Sequence, residues 1–276
     1  MTAPVVQRIT SRDNPLLKTL RRLTQDSSAY RKLGQVWVEG DHLCRAAHER
    51  GVQPLTAVFS ESFWSQANAQ WAGAARQNLV LADALFAGIS ALESPASMGF
   101  VLELAPPAAL QAAAPSVILD RVQDAGNVGS ILRSAGAFGF KQIIAIKGTA
   151  ALWSPKVLRA GMGAHWGLDL IEGVALSDLG ALTLPIIVTS SHRGAFLHEA
   201  LREQTLPFPC AWALGHEGQG VAAELEALAG LHVRIAQPGG EESLNVAAAA
   251  AICLHASAAA DLDGKGNFSP GRPNKN

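Results

Sequence analysis

Short apolar runs alternate with helix-like patterns along most of the chain, and the alternation is most regular after residue 115. The apolar runs in this part are SVILD, QIIAIK, LDLIE, LPIIVTS, CAWALG and HVRIA. Short buried strands joined through helices are typical of a parallel sheet that is covered on both faces. We therefore predict an α/β fold whose C-terminal part is a parallel sheet with helices on both faces.

The N-terminal part carries the same alternation less regularly, with apolar runs GQVWVEG, TAVFSE and NLVLAD. This pattern predicts a small α/β domain over residues 1–105. The stretch LAPPAALQAAAP (104–115) is rich in Pro and Ala, which is typical of a linker, and we place the linker at 106–115. The second domain then covers 116–260. Residues 261–276 are rich in Gly, Pro and Asn and are predicted to be disordered.

Composition adds limits to this picture. The chain has 276 residues, is 49% hydrophobic and has a formal net charge of -1, as expected for a globular protein of one or two domains. Its start lacks the pattern of a signal peptide, and the Ala-rich run 246–260 is too short and too weakly apolar to span a bilayer. Cys44, Cys210 and Cys253 are odd in number and have no CxxC spacing. We expect a cytoplasmic protein with no membrane segment, disulfide or metal.

Charge is unevenly placed along the chain. From Arg8 to Lys32, seven basic residues are opposed only by Asp13 and Asp26, so the segment has a net charge of +5. Local basicity of this kind attracts polyanions such as RNA or DNA. It is also found on an ordinary solvated helix face. Both interpretations stay open on charge alone.

A glycine-containing turn, DAGNVGSILRSAGAFG (124–139), directly follows the SVILD run. It lacks the GxGxxG spacing of a dinucleotide-binding turn, which counts against a nicotinamide-dependent oxidoreductase. It predicts instead a helix with Asn127 as N-cap, Gly136 and Gly139 at its end, and a buried stripe of Val128, Ile131, Leu132 and Ala135. Arg133 faces away from this stripe, either as a surface residue or as a group that grips a phosphate.

Two later stretches have a similar strand–loop–helix character. LGHEGQGV (214–221) places glycines around Glu217, and ESLNVAAAAAICLHA (242–256) predicts a helix with Ser243 as N-cap and Asn245 in its first turn. In a parallel sheet such junctions gather at the carboxyl ends of the strands, where ligands bind. The pattern therefore predicts one site that contains Asn127, Arg133, Glu217, Ser243 and Asn245.

Taken in order, NVGSILRSAGAFG, LGHEGQGV and ESLNVAAAAA resemble the three motifs of the SpoU, or TrmH-like, RNA ribose 2′-O-methyltransferases of the SPOUT superfamily. The segments ITSRDNPLLKTLRRL and VWVEGDHLCRAA resemble the small L30e-like substrate-binding domain that precedes the catalytic domain in many ribosomal-RNA members. The resemblance covers nearly the whole chain. It implies a deep trefoil knot that binds S-adenosylmethionine, a homodimer, and ribosomal RNA, with 23S rRNA favoured, as substrate.

The resemblance also implies roles for particular residues. The residues expected to be catalytic are Asn127, Arg133, Glu217, Ser243 and Asn245. Because a guanidinium is a poor base, we expect Arg133 to orient the RNA phosphate and to stabilise negative charge on the ribose oxygen. Asn127 is then expected to fix Arg133, and Glu217 and Asn245 to order the loops around substrate and cofactor. The cofactor contacts are expected from Thr189, Gly215, Gly220, Ile235 and Leu244. The expected RNA contacts are Arg12, Arg21, Arg22, Lys156 and Arg159.

This sequence departs from the family pattern at three places. Ala236 and Gln237 replace a Pro and a Met before the third motif, Gly161 stands where a Ser is frequent, and His216 stands where a small hydroxyl residue is common. We interpret His216 as either a substrate-facing group or a tolerated surface substitution. The uncharged helix after Asn245 is expected to be buried, either in the core or against a partner subunit. Alternative functions are methylation of tRNA ribose and RNA binding without catalysis.

Overall fold

A computed structural model describes residues 5–66, 71, 73–240 and 243–265 of the chain, the last three of these by backbone alone. The chain divides into two compact units. The first takes residues 1–107 and 150–166, and the second takes 108–149 and 167–276. Residues 150–166 were predicted to lie in the second domain, but they belong to the first unit, together with Lys156 and Arg159.

The first unit is built on a five-stranded mixed sheet with strand order β1-β4-β3-β5-β2. Its strands are β1 (Val5–Ile9), β2 (Gln35–Glu39), β3 (Thr56–Ser60), β4 (Gln77–Leu81) and β5 (Met98–Glu103). β1, β4 and β3 run parallel, and β5 is antiparallel to both β3 and β2. A Cβ added to Gly99 would overlap the Trp37 ring, so this point of β5 requires glycine for packing. β1 and β5 were missed by the sequence analysis.

Helices cover this sheet, and one of them comes from the later segment 150–166. They are α1 (Pro15–Gln25), α2 (Ala29–Leu33), α3 (Asp41–Glu49), α4 (Glu61–Gln66), α5 (Asp83–Ala87) and, numbered by its place in the chain, α7 (Pro155–Gly161). α1 begins where the Asn14 side chain accepts a hydrogen bond from the Leu16 N–H at 2.9 Å, as expected of an N-cap. Its inner face buries Leu17, Leu20 and Leu23. Its basic residues are therefore on the outside.

The second unit is built on a seven-stranded sheet in which every pairing is parallel. Its strands are β6 (Ser116–Leu119), β7 (Gln142–Ile146), β8 (Asp169–Val174), β9 (Ile186–Thr189), β10 (Ala195–Phe196), β11 (Ala211–Leu214) and β12 (Leu231–Arg234). The predicted parallel sheet is confirmed, and each of the six predicted apolar runs overlaps one of its strands. β10, which has two residues, was not predicted.

The strand order of this sheet is β10-β12-β9-β11-β6-β7-β8. The chain moves outward from β6 to β8, crosses to β9, and then returns so that β11 lies between β9 and β6. Ligands bind in α/β sheets where the direction of the strand order reverses, outside the carboxyl ends of the strands. The carboxyl ends of β6 and β11 are neighbours at this point, and they carry the first two motifs.

Helices cover both faces of the second unit. They are α6 (Ala125–Ala137), α8 (Leu197–Arg202), α9 (Ala223–Glu226) and α10 (Val246–Lys265), with a short 3-10 turn at Leu176–Ala181. α6 and α10 pack against each other, so the first and third motifs are brought together. α10 continues to Lys265, past the predicted start of the tail at residue 261. The remainder of that predicted tail, 266–276, lies outside the described residues.

Candidate active site

α6 begins at a carboxylate rather than at the predicted amide. The Asp124 side chain accepts a hydrogen bond of 2.7 Å from the Asn127 N–H, so Asp124 is the N-cap and the prediction of Asn127 was wrong. Asn127 instead lies in the first turn of the helix, where its side chain can reach neighbouring loops. The predicted buried stripe of α6 is confirmed, and Gly139, just after the helix, has a φ of 83° that suits glycine.

α10 begins two residues later than Ser243. The Asn245 side-chain oxygen accepts hydrogen bonds from the Ala247 N–H (2.9 Å) and the Ala248 N–H (3.3 Å), so Asn245 is the N-cap and the prediction of Ser243 was wrong. An Asn side chain satisfies in this way two of the N–H groups that the start of a helix leaves unpaired. Ser243 is exposed in the segment before the helix.

A single hydrogen-bonded network joins all three motifs. The Glu217 carboxylate accepts hydrogen bonds from the backbone N–H groups of Gln123 (3.2 Å) and Asp124 (3.1 Å) and from the Asn127 side-chain amide (3.2 Å). The Asn127 side-chain oxygen accepts a further bond of 2.9 Å from the Asn245 side-chain amide. The loop after β11, the start of α6 and the start of α10 are therefore held to one another. The network places Asn127, Glu217 and Asn245 together.

The Glu217 carboxylate titrates below its ordinary range. Partial burial acts to raise the pKa of Glu217, but hydrogen bonds from backbone N–H groups and from the Asn127 amide outweigh it and lower the pKa overall. Hydrogen bonds to the charged form of a carboxylate have this effect because they are lost when it is protonated. Glu217 is therefore ionised at neutral pH and acts here as an acceptor, not as an acid.

The Glu217 loop needs glycine at both ends. A Cβ on Gly215 would overlap the backbone of Gly220 and Val221, because the chain folds back on itself there. Gly220 has a φ of 68°, a left-handed conformation that glycine adopts without strain. Its N–H and C=O exchange hydrogen bonds of 2.8 and 3.0 Å with the C=O and N–H of His216. Gly215 and Gly220 therefore have a structural role in the loop.

Sequence reasoning missed a second cluster, at the end of β6. Asp120 is buried and accepts two hydrogen bonds from the Arg121 guanidinium, at 2.9 and 3.1 Å, and one from the Ala222 N–H at 2.7 Å. Arg121 in turn donates to the Gln219 side-chain oxygen at 3.0 Å. The Arg121 backbone has a φ of 59°, which is unusual outside glycine. This cluster also holds the Glu217 loop, through Gln219 and Ala222. Its sequence signal was an Asp at the end of an apolar run.

Arg133 lies on the exposed face of α6, as predicted. Within the described part of the chain, it makes no hydrogen bond or ion pair. The hydrogen bonds of the Asn127 side chain go to Glu217 and Asn245, and a role for Asn127 in fixing Arg133 stays a prediction. The guanidinium is therefore available to bind a ligand that carries negative charge.

Three of the five expected cofactor residues lie at the carboxyl ends of adjacent strands. Thr189 ends β9 and donates to the Ala213 C=O at 3.3 Å, Gly215 follows β11, and Ile235 follows β12. Leu244 is exposed before α10. The side-chain oxygen of Gln237 is buried and accepts no hydrogen bond from the described residues. A buried acceptor of this kind is suited to a ligand that brings an amino or hydroxyl donor.

All five expected RNA contacts belong to the first unit. Arg12, Arg22 and Lys156 are exposed, and Arg21 and Arg159 are half-buried. The Arg21 guanidinium donates to the Arg12 C=O at 3.4 Å, which holds two of these residues together. The positive charge of α1 and of the turn before it is therefore presented to solvent by the first unit.

Within residues 5–66, 71, 73–240 and 243–265, the structure contains no group of three or more His, Cys, Asp or Glu side chains that could hold a metal ion. Among the helices it describes there, none is long and apolar enough to cross a membrane. Cys44, Cys210 and Cys253 are buried and free.

The fold and the network define an α/β protein whose candidate ligand site lies at the carboxyl edge of a parallel sheet. A sequence model of the SpoU rRNA methylase family matches residues 114–255. The chain belongs to this family.

Similar proteins agree with this assignment. The chain is 30% identical over 182 residues to the 23S rRNA (guanosine(2553)-2′-O)-methyltransferase RlmP of Bacillus subtilis, covering 65% of this chain and 71% of that protein. It is 30% identical over 264 residues to an uncharacterized tRNA/rRNA methyltransferase of Synechocystis sp., covering 90% and 92%. The crystal structure of an AdoMet-bound rRNA methyltransferase from Sinorhizobium meliloti is 26% identical, with a TM-score of 0.77 and coverage of 91% and 97%.

Proposed function

We propose that this protein is an S-adenosylmethionine-dependent methyltransferase that methylates a ribose 2′-hydroxyl in RNA, with ribosomal RNA, and 23S rRNA in particular, as the favoured substrate. The observation that carries the proposal is the network that joins Asn127, Glu217 and Asn245 across the three motif loops. It supports the proposal because it assembles the polar groups of all three motifs at the carboxyl edge of the sheet, where ligands bind in such folds. The relatives described above favour rRNA, and tRNA is the alternative substrate.

The residues at this edge fit the cofactor. Thr189, Gly215 and Ile235 lie at the carboxyl ends of three adjacent strands. Gln237, whose side-chain oxygen has no hydrogen-bond partner among the described residues, lies two residues after Ile235. We assign these residues, with Gly220 and Leu244, to cofactor binding. S-adenosylmethionine supplies a methyl group on a sulfonium sulfur, which is an excellent leaving group. The protein therefore has to align the ribose hydroxyl and assist the loss of its proton.

Arg133 is assigned the main role toward RNA. A guanidinium keeps its proton in proteins and is therefore a poor base. It stabilises negative charge on the ribose oxygen and can bind a neighbouring phosphate through two parallel hydrogen bonds. Its position on the exposed face of α6, unpaired among the described residues, leaves it available for this role. Glu217, Asn127 and Asn245 hold the surrounding loops, and Ser243, exposed before α10, is assigned to the same site.

The basic surface of the first unit is proposed to bind RNA phosphates. The double variant Arg21→Gln/Arg22→Gln is expected to weaken RNA binding and to make the slope of log affinity against log salt shallower by about 1 to 2. The slope changes because RNA binding releases fewer counterions when two phosphate contacts are missing. Cofactor affinity should not change. The pair Arg193→Gln/Arg202→Gln, on exposed arginines of the second unit, is the matched control. Equal salt slopes in the two double variants would show that α1 is only a solvated face.

A homodimer is proposed on the outer face of α10. This helix buries Ala250, Cys253 and Leu254 on one side, yet Ile252 and Leu262 on the other side are each 41% exposed. An apolar face of this kind suits a partner subunit. We expect light scattering to report a dimer and Ile252→Glu to shift it toward the monomer, with Leu228→Glu, an exposed Leu elsewhere, as control. A wild-type monomer at micromolar concentration would contradict the proposal.

Transfer of radiolabelled methyl groups tests the function directly. Total rRNA and total tRNA are purified from a strain that lacks this gene and are incubated with the protein and labelled S-adenosylmethionine. Label in rRNA, released as a 2′-O-methylated nucleoside, supports the proposal, and label only in tRNA replaces it with the alternative substrate. Label in neither RNA, with no cofactor binding by calorimetry, would indicate an RNA-binding protein without catalysis. The cytoplasmic location remains a prediction of the sequence.

A further inference from the structure

His216 immediately precedes Glu217, and its imidazole lies inside the Glu217 loop. The Nδ1 atom accepts hydrogen bonds from the backbone N–H groups of Gly218 (3.0 Å) and Gln219 (3.2 Å). The backbone of His216 also exchanges two hydrogen bonds with Gly220. His216 therefore closes the loop through its backbone hydrogen bonds to Gly220 and supports the turn within the loop through its side chain.

These contacts fix the protonation state that the loop requires. Two N–H donors point at Nδ1, so this nitrogen must carry a lone pair, and in the neutral ring the proton then lies on Nε2. An imidazolium carries a proton on both nitrogens and cannot accept at Nδ1. Protonation of His216 would therefore break both bonds and turn a third donor toward Gly218 and Gln219.

The loop supported by His216 is the one that holds the site together. Glu217, directly after it, binds the start of α6, and Gln219, two residues further on, accepts a hydrogen bond from Arg121. If the turn between them relaxes, the carboxylate of Glu217 and the amide of Gln219 lose their fixed separation. The hydrogen bonds to Asn127 and to Arg121 then cannot be kept together.

We propose that His216, in its neutral form with Nδ1 as acceptor, is a positioning residue that sets Glu217 and thereby the network of the three motifs. This role rests on the proposed methyltransferase function. It differs from both sequence-based interpretations, a substrate-facing group and a tolerated surface residue. In this role, the Nδ1 atom of His216 keeps the whole Glu217 loop ordered.

The choice between Asn and Gln tests the proposal at the level of that atom. The side-chain oxygen of Asn lies the same two bonds from Cβ as Nδ1 of His, whereas the oxygen of Gln corresponds to Nε2. His216→Asn should therefore keep the acceptor and most of the activity, and His216→Gln should lower kcat by about 10-fold to 100-fold through misplacement of the site. His192→Gln, at an exposed histidine of another loop, is the matched control.

A second readout separates this proposal from the proposed function. Amide hydrogen exchange of Gly218 and Gln219 is expected to be slow in the wild type and in His216→Asn and faster in His216→Gln, whether or not any RNA is methylated. Failure of methyl transfer with the expected exchange pattern would count against the function alone. Equal exchange and equal kcat in His216→Gln and the wild type, or equal impairment of the Asn and Gln variants, would overturn the role of His216.

Discussion

Arg133→Ala is expected to lower the rate of methyl transfer by about 10²- to 10³-fold, the usual effect of removing a group that stabilises negative charge in the transition state. Arg133 makes no hydrogen bond or ion pair with the residues that the structure describes, and it lies on the exposed face of α6. Its removal should therefore leave the fold and cofactor affinity intact. Single-turnover methyl transfer to the preferred RNA, with cofactor affinity from calorimetry, is the measurement.

Two further variants define what Arg133 contributes. Arg133→Lys keeps the positive charge but loses the planar guanidinium, which can donate two parallel hydrogen bonds. Relative to Arg133→Ala, we expect it to restore RNA affinity more than the rate of methyl transfer. Arg202→Ala, an exposed arginine on α8, is the control for loss of charge. Undiminished methyl transfer in Arg133→Ala would remove this residue from the mechanism. Loss of cofactor affinity in the same variant would place it in the cofactor site instead.

The secondary structure around the site could be predicted where one periodic pattern decided it. All six predicted strands of the second unit are present, and the buried stripe of α6 is as predicted, because burial on a sheet or helix face follows directly from the spacing of apolar residues. The starts of the helices were harder to predict. Asn127 and Asn245 both suit an N-cap or a first turn, and their roles depend on whether an earlier carboxylate, here Asp124, already caps the helix.

Contacts between distant residues could not be read from the sequence. Asn127 and Asn245 are 118 positions apart, and Arg121 and Gln219 are 98 apart, yet each pair shares a hydrogen bond. Segment 150–166 belongs to the first unit although the second unit contains the residues on either side of it. Such arrangements depend on tertiary packing, which local patterns do not encode. The trefoil knot and the L30e-like character of the first unit stay predictions of the family resemblance.

Glu217→Gln is expected to have the broadest effect of any single substitution at the site. The carboxylate accepts from two backbone N–H groups and from the Asn127 amide, and a Gln side chain offers one oxygen and turns an NH₂ group toward some of those donors. We expect methyl transfer to fall about a hundredfold through loss of alignment, together with weaker cofactor binding and a lower melting temperature. Glu224→Gln, at an exposed acid on α9, is the matched control.

The pH dependence of stability identifies Glu217 as the cause of these losses. Because the fold lowers the pKa of Glu217, the carboxylate adds stability at pH values above its unfolded pKa of about 4.3, and that stability is lost as the pH falls through the lower folded pKa. The difference in unfolding free energy between the wild type and Glu217→Gln should therefore be constant near neutral pH and shrink below about pH 4. Urea unfolding across this range measures it. A difference that does not change with pH would mean that the destabilisation comes from the shape of the side chain and not from its charge.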